Sequence, residues 1–243
     1  MKTVAVIPAR YASSRFPGKP LAFICEKPMI QWVYETVCNV PEITKTIVAT
    51  DDERICDCVR SFGGKAVMTG ECSCGTDRVW EVVSEMDCDV VLNIQGDEPF
   101  IKIPMIRQLI HAFQNPNEKM ATLKKEIPYE ESQNPNIVKV ITDKDDYAIY
   151  FSRYAIPYRR EPVMHKYYKH IGIYGYTKAF LKSFVRLSLS SLENAESLEQ
   201  LRALENGYRI KVLETEYDSI GVDLPEHIEK AETIIKRQWG RKE

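Results

Sequence analysis

Arg10, Arg15 and Lys19 share one short segment, and no Asp or Glu lies between Lys2 and Glu26. Arginine offers planar forks to phosphate oxygens and lysine a point charge, while Gly18 lets the backbone come close to a ligand. Three cations without a counter-charge, framed by Pro8, Pro17 and Pro20, suit a polyphosphate; the alternative is a solvated basic loop. Asp97, in Gln95-Gly96-Asp97-Glu98-Pro99, is a carboxylate of the kind that holds Mg2+ together with waters and phosphate oxygens. A turn or capping role would explain Asp97 equally well. Asp223 is a second candidate, although an Asp two residues before Pro225 is ordinary at a helix start, and the sequence does not bring it to Asp97.

Other polar residues carry weaker signals. Glu196, Glu199 and Gln200 are spaced i, i+3 and i+4 on a predicted helix and would share one stripe, which is commonly just a wet face. His170 opens a predicted strand, where a lone histidine is more often structural. Cys72 and Cys74 lie in a loop and could join a zinc site, but one Cys-x-Cys without a second pair is a weak motif. Cys56 and Cys58 would face apart on a helix. The chain lacks a P-loop, a Gly-x-Gly-x-x-Gly after its first strand, a Gly-x-Ser-x-Gly and a His-Glu-x-x-His. The common NTPase, dehydrogenase, serine hydrolase and zincin readings lose their support with them.

These residues need a scaffold, and hydrophobic periodicity supplies one. Val4-Ala5-Val6-Ile7 is a buried strand that Pro8 breaks into the cationic loop. Ile30, Val33, Tyr34 and Val37 follow Pro28 at helical spacing. Residues 46–50 read as a second strand, after which Asp51 or Asp52 caps a helix reaching about Ser61. A short strand at 65–68 and a loop at 69–75 lead to a helix start at Thr76-Asp77-Arg78, with Thr76 or Asp77 as cap. Residues 89–95 form the strongest buried strand, and a helix follows from about Pro104. Strand alternating with helix predicts an α/β fold with a parallel sheet, whose ligands gather at the carboxyl ends of the strands. The cationic loop, the Asp51 turn and Asp97 would share that edge.

From Met120 strands at 120–127, 137–142, 148–152 and 169–176 follow without long helices. They predict an inserted β-rich lobe at about 128–185, a possible oligomer contact, with a flexible loop or lid at 159–169. A helix at 190–206 stopped by Gly207, a strand at 209–215 and a final helix after Pro225 complete the chain.

With 243 residues, a net charge of −2, 44% hydrophobic and 28% charged residues, the composition is that of a soluble globular protein of one or two domains. Near-neutral charge argues against general nucleic-acid binding and makes the basic loop a local feature. No apolar stretch approaches the roughly 18 residues of a membrane span, and the first run lacks a signal-peptide core. Cytoplasm is the expected location, with the seven cysteines as reduced thiols.

The opening Ile7-Pro8-Ala9-Arg10-Tyr11-Ala12-Ser13-Ser14-Arg15-Phe16-Pro17-Gly18-Lys19-Pro20-Leu21 resembles that of 3-deoxy-manno-octulosonate (Kdo) cytidylyltransferases, the CMP-Kdo synthetases. So, in order along the chain, do Val48-Ala49-Thr50-Asp51, Cys74-Gly75-Thr76-Asp77-Arg78, Asn93 to Pro99, Asn134-Pro135-Asn136 and Tyr150-Phe151-Ser152-Arg153. Lys169 to Tyr176, Leu198-Glu199-Gln200-Leu201-Arg202 and Gly221-Val222-Asp223-Leu224-Pro225-Glu226 continue the likeness. The resemblance implies a Rossmann-like nucleotidyltransferase, a single domain over 1–243 with a smaller β-rich dimerisation lobe, acting as a homodimer on CTP and Kdo with Mg2+ for lipopolysaccharide biosynthesis. It implies that Pro8, Ala9, Arg10, Arg15 and Lys19 hold the nucleotide and its phosphates, with Arg78 by the cytosine. Asp97 and Asp223 would hold the metal and, with Lys19, form the catalytic group. Gln95, Arg153, His170, Glu199 and Gln200 would surround the sugar acid. Three departures are Cys74, where the family commonly has Ser before Gly-Thr, Leu224-Pro225-Glu226-His227, where it commonly has Thr-Pro-Glu-Asp, and a shorter segment at 159–166. An 8-amino-Kdo or other nonulosonate synthetase, and a catalytically silent nucleotide-binding protein on the same fold, are the alternatives.

Overall fold

The computed structural model describes residues 1–13, 15–161, 165–219, 221–222 and 224–239. Strand β1 (Thr3–Pro8) leads through a 3-10 turn (Lys19–Leu21) and the small hairpin β2 (Phe23–Ile24) and β3 (Lys27–Pro28) to α1 (Met29–Cys38). Then come β4 (Ile43–Thr50), α2 (Glu53–Ser61), β5 (Ala66–Met68), α3 (Gly75–Val83), β6 (Val90–Asn93) and α4 (Ile103–Ala112). The later half contains β7 (Met120–Ile127), a short α5 (Tyr129–Ser132), β8 (Lys139–Thr142), β9 (Ala148–Ser152) and β10 (Tyr167–Thr177). It continues with α6 (Lys178–Phe184), α7 (Ser191–Glu196), α8 (Gln200–Glu205), β11 (Lys211–Glu214) and α9 (His227–Trp239).

Among the described residues, one sheet runs in the order β11-β7-β10-β6-β1-β4-β5, with β8 and β9 attached to β10. The expected parallel arrangement holds for β6, β1, β4 and β5, while β10 enters antiparallel between β6 and β7. Strand β1 is buried on both sides because its alternate residues serve two cores. Ala5 and Ile7 join the layer under α1, α2 and α4; Val4 and Val6 join that under α3, α6 and α8. Truncating a fully buried residue such as Ile7 to Ala would cost about 2–5 kcal/mol. A third cluster joins Ile24 and Met29 to Phe100, Val222, Ala231 and Ile235 of the C-terminal segment. No helix of the described residues is long and apolar enough to cross a membrane.

Within residues 128–185, β8 and β9 form an antiparallel pair, while the later part of β10 is a member of the main sheet. Residues 167–169, expected in a flexible loop, are the first rungs of β10 against β7; residues 162–164 lie outside the described set. The helix expected over 190–206 is two helices. Ser197 takes the left-handed conformation (φ 53°), the Leu198 N–H returns to the Glu193 carbonyl, and Leu198 is drawn into the core. Glu196, Glu199 and Gln200 therefore do not form a wet stripe: Glu196 bonds to Ser152 and Arg153, Glu199 to Cys74 and Thr76, and Gln200 is buried. The helix expected from Thr76 starts one residue earlier, capped by Cys74, whose sulfur accepts the Asp77 N–H at 3.4 Å.

Candidate active site

At the carboxyl ends of β1 and β6 a cavity of about 450 Å³ opens, and the cationic loop forms one wall. Pro8, Ala9, Arg10, Arg15 and Lys19 all line it. Ala9 is anchored by its N–H to the Ala49 carbonyl, 2.9 Å away, while Arg10 extends from the end of β1 into solvent. The opposite wall is Gln95, Gly96 and Asp97. Gly96 is required by close approach: a Cβ there would sit 3.3 Å from the Pro8 carbonyl oxygen and 3.1 Å from Ile30 Cδ1. That tight turn faces Asp97 to Lys19, whose Nζ lies 2.5 Å from the carboxylate. A larger groove of about 740 Å³, beside Trp80, Lys178 and Lys182, lies at the opposite end of β6 and shares none of these residues.

The third wall is the start of α3, where Arg78 and Cys74 line the cavity. Arg78 is only 4% exposed, and its guanidinium donates to Asp51 at 2.6 Å and to the Thr69 hydroxyl. Thus the Asp51 turn after β4 reaches the site through Arg78. The Cys74 thiol donates to Glu199 Oε1 (3.1 Å) and the Thr76 hydroxyl to Glu199 Oε2 (2.7 Å). Gln95 Nε2 donates to Asn93 Oδ1 (3.2 Å), and Asn93 Nδ2 to Thr76 Oγ1 (3.3 Å). Two donor paths from the cavity wall therefore end on one carboxylate. Burial pushes the Glu199 carboxyl up, against the hydrogen bonds from Thr76 and Cys74.

The remaining predicted residues lie on the β10 side. Because β10 runs antiparallel with Tyr174 opposite Asn93, residues before Tyr174 project past the carboxyl end of β6, and His170 is among them. Between Ile171 and Tyr174 the pairing with β7 slips by two residues, a bulge around the Thr122 hydroxyl. That hydroxyl lies 2.8 Å from the Ile173 carbonyl and 2.9 Å from His170 Nε2. Its proton serves the carbonyl, so its oxygen accepts the Nε2–H. With its ring 5.0 Å from that of Phe151 and 5.4 Å from that of Tyr174, burial lowers the His170 pKa to about 3, which leaves the imidazole neutral. Arg153 donates from Nε to the Glu196 carbonyl (2.8 Å) and from Nη1 to the Pro135 carbonyl (3.3 Å). Gln200 is 5% exposed, and its Nε2 makes no hydrogen bond among the described residues. None of Arg153, His170, Glu199 and Gln200 lines the cavity itself.

Asp223, the second predicted metal ligand, lies outside the described residues, but the segment before it is placed. The Val222 N–H donates to the Asp97 carbonyl at 3.0 Å. Among the described residues no three His, Cys, Asp or Glu side chains gather as a metal site. Cys72 and Cys74 point to different carboxylates, Glu81 and Glu199, and burial holds both thiols protonated, Cys72 up at about 11.

Around Arg153 the sequence assigned Lys139 no role and Glu196 only a place on a polar stripe. Lys139 is fully buried in β8, and its ammonium donates to the carbonyls of Asn134 (2.9 Å), Ile137 (2.6 Å) and Arg153 (2.5 Å). Glu196 accepts from the Ser152 hydroxyl (2.7 Å) and the Arg153 N–H (2.9 Å). Both hold Arg153. Only a lysine flanked by Val138 and Val140 hinted at an unusual interior charge.

The model of a protein family described as Cytidylyltransferase matches residues 4–212. A 3-deoxy-manno-octulosonate cytidylyltransferase of Thermodesulfovibrio yellowstonii is 53% identical over 97% of this chain and 98% of its own length. An 8-amino-3,8-dideoxy-manno-octulosonate cytidylyltransferase of Shewanella amazonensis is 49% identical over 97% of this chain and 99% of its own. Among solved structures, a CMP:2-keto-3-deoxy-manno-octonic acid synthetase complexed with CTP superposes with a TM-score of 0.95 at 42% identity, covering 98% of this chain and 100% of that one.

Proposed function

The chain belongs to the cytidylyltransferase family, and from that premise we propose that it activates Kdo: CTP and Kdo give CMP-Kdo and diphosphate, for lipopolysaccharide biosynthesis. The observation that carries this reading is the meeting of Lys19 and Asp97 at 2.5 Å on the carboxyl edge between β1 and β6, inside a cavity walled by the cationic loop. The anomeric hydroxyl oxygen of Kdo bonds to the α-phosphorus, the bond from that phosphorus to the bridging oxygen breaks, and the hydroxyl proton is released. Arg10, Arg15 and Lys19 orient the triphosphate and neutralise charge on the departing diphosphate. Arg153, held by Lys139 and Glu196, is the partner for the sugar carboxylate. Gln95 reaches the sugar from the cavity wall. His170, Glu199 and Gln200 shape the sugar side.

The donor set at Asp97 fits a hard cation. Its carboxylate attracts the Lys19 ammonium, and its own carbonyl fixes Val222, next in sequence to Asp223. Asp97 and Asp223 are thus the residues that would hold Mg2+. When bound, the ion would neutralise phosphate charge and lower the pKa of the attacking hydroxyl.

The exposed edge strand β9 carries Ile149 at 57% exposure, with Tyr154 at 84% just beyond it. An exposed apolar edge of this kind supports assembly as a homodimer. A sedimentation experiment tests that.

The deciding assay measures diphosphate release with CTP, Mg2+ and either Kdo or 8-amino-Kdo. Faster turnover of Kdo upholds the reading. Exclusive use of the 8-amino sugar, a choice raised by the 49% identical relative, replaces it, and CTP binding without turnover of either sugar makes the protein a silent binder.

A further inference from the structure

Tyr11 belongs to the opening motif but does not line the cavity. It sits behind the loop. Its carbonyl accepts the Gly18 N–H at 2.9 Å, closing residues 11–18 into one ring of chain. Gly18 has φ +71°, and a Cβ added there would sit 3.0 Å from Tyr11 Cε2, so the loop backbone rests on the tyrosine ring. On that ring also lies the Arg54 guanidinium, 3.4 Å from its centroid. Arg54 in turn is gripped by Asp52, which accepts from its Nε (2.9 Å) and Nη2 (2.7 Å) and caps α2 through the Arg54 N–H (3.0 Å). A strut therefore runs from α2 just beyond β4, through Asp52 and Arg54, to the Tyr11 ring and the Gly18 backbone, and the next residue is Lys19.

We infer that Tyr11 and Arg54 are positioning residues that hold the loop carrying Arg10, Arg15 and Lys19 in the shape that receives a triphosphate. The inference rests on the proposed phosphate role of that loop. A loop with one glycine and two serines has many conformations, and only a few converge three cations on one ligand. Fixing the loop before binding removes an ordering cost from the affinity. Neither Tyr11 nor Arg54 needs to touch the nucleotide to do this.

The test measures CTP and inorganic tripolyphosphate binding to the full chain by calorimetry, beside Kdo affinity and melting temperature. Tyr11→Ala should weaken both phosphate ligands about tenfold and leave Kdo affinity unchanged, as loop misplacement predicts. Tyr11→Phe, which keeps the ring, should bind within about twofold of the wild type. Arg54→Ala should weaken both ligands about threefold with an unchanged melting temperature, since that side chain is 59% exposed and leaves no cavity. Should Tyr11→Ala fail to fold, Arg54→Ala decides. Wild-type affinity in Arg54→Ala, or an equal loss of Kdo affinity in Tyr11→Ala, overturns the strut alone. A wild-type protein that binds neither phosphate ligand overturns the phosphate reading of the loop, and the strut with it.

Discussion

On the β1 side of the cavity, Arg10 and Arg15 stand exposed on a loop, and half-buried Lys19 meets Asp97 at 2.5 Å. On the β10 side, Lys139 and Gln200 are buried, Glu199 is enclosed by α3, and His170 is wedged between aromatic rings. A triphosphate brings its own charge and solvation, so exposed cations suffice to attract it. A sugar acid has to be told from its relatives, and that calls for groups fixed by packing and by buried hydrogen bonds. The comparison predicts that changes on the first side alter CTP kinetics and leave stability alone, while changes on the second side alter both.

Asp97→Asn should give the largest effect, a loss of about 10²–10³ in kcat for diphosphate release with an unchanged melting temperature. If Asp223→Asn matches it, the two share the metal; full magnesium-dependent turnover in Asp223→Asn would separate them. Lys19→Met should lower kcat/KM for CTP about 10–100-fold, with folding intact by circular dichroism. Unchanged kinetics would return the loop to a merely solvated role. Lys139→Met should break the pattern of the first side. Three carbonyls lose the donor that a fully buried ammonium supplied, so stability to urea falls by about 1–3 kcal/mol, and the KM for Kdo rises while CTP binding persists.

Acid should act on the second side as well. His170 is neutral in the fold with a pKa of about 3, whereas an unfolded histidine titrates near 6.5. Below about pH 6.5 the unfolded chain takes up a proton that the fold refuses. Stability is therefore complete above that pH and declines as pH falls toward 3. Between pH 7 and pH 5 the loss should be about 1–2 kcal/mol, read as a drop in melting temperature that His170→Asn abolishes. Cys74→Ser should do least. A hydroxyl can donate to Glu199 and accept the Asp77 N–H as the thiol does, so turnover should stay within about twofold and stability within about 1 kcal/mol. A large loss there would mean that the sulfur itself fits this site.

Legibility in the sequence followed the same division. The β1 side is made of residues at the ends of strands, in loops whose composition announces them, and a parallel sheet brings such ends together by rule. Arg10, Lys19 and Asp97 could therefore be placed on one edge from periodicity alone. The β10 side depends on irregularities that periodicity misses: the left-handed Ser197 that splits α7 from α8, the bulge that turns His170 toward Thr122, and a lysine buried among carbonyls. Glu199 was visible as part of a motif, but its partners Cys74 and Thr76 lie more than a hundred residues away. Spacing put it on a polar stripe, and only the resemblance turned it toward the sugar.

The hydrogen bond from Val222 to the Asp97 carbonyl has a consequence in time. Asp97 and its loop leave the ribosome long before Val222 and the helix that packs Ala231 and Ile235 onto Ile24 and Met29. A nascent chain exposing residues 1–214 would carry every strand of the sheet and the cationic loop, yet lack the segment whose Val222 reaches the Asp97 carbonyl. Catalytic competence should thus arrive in a late step, after the nucleotide can already bind.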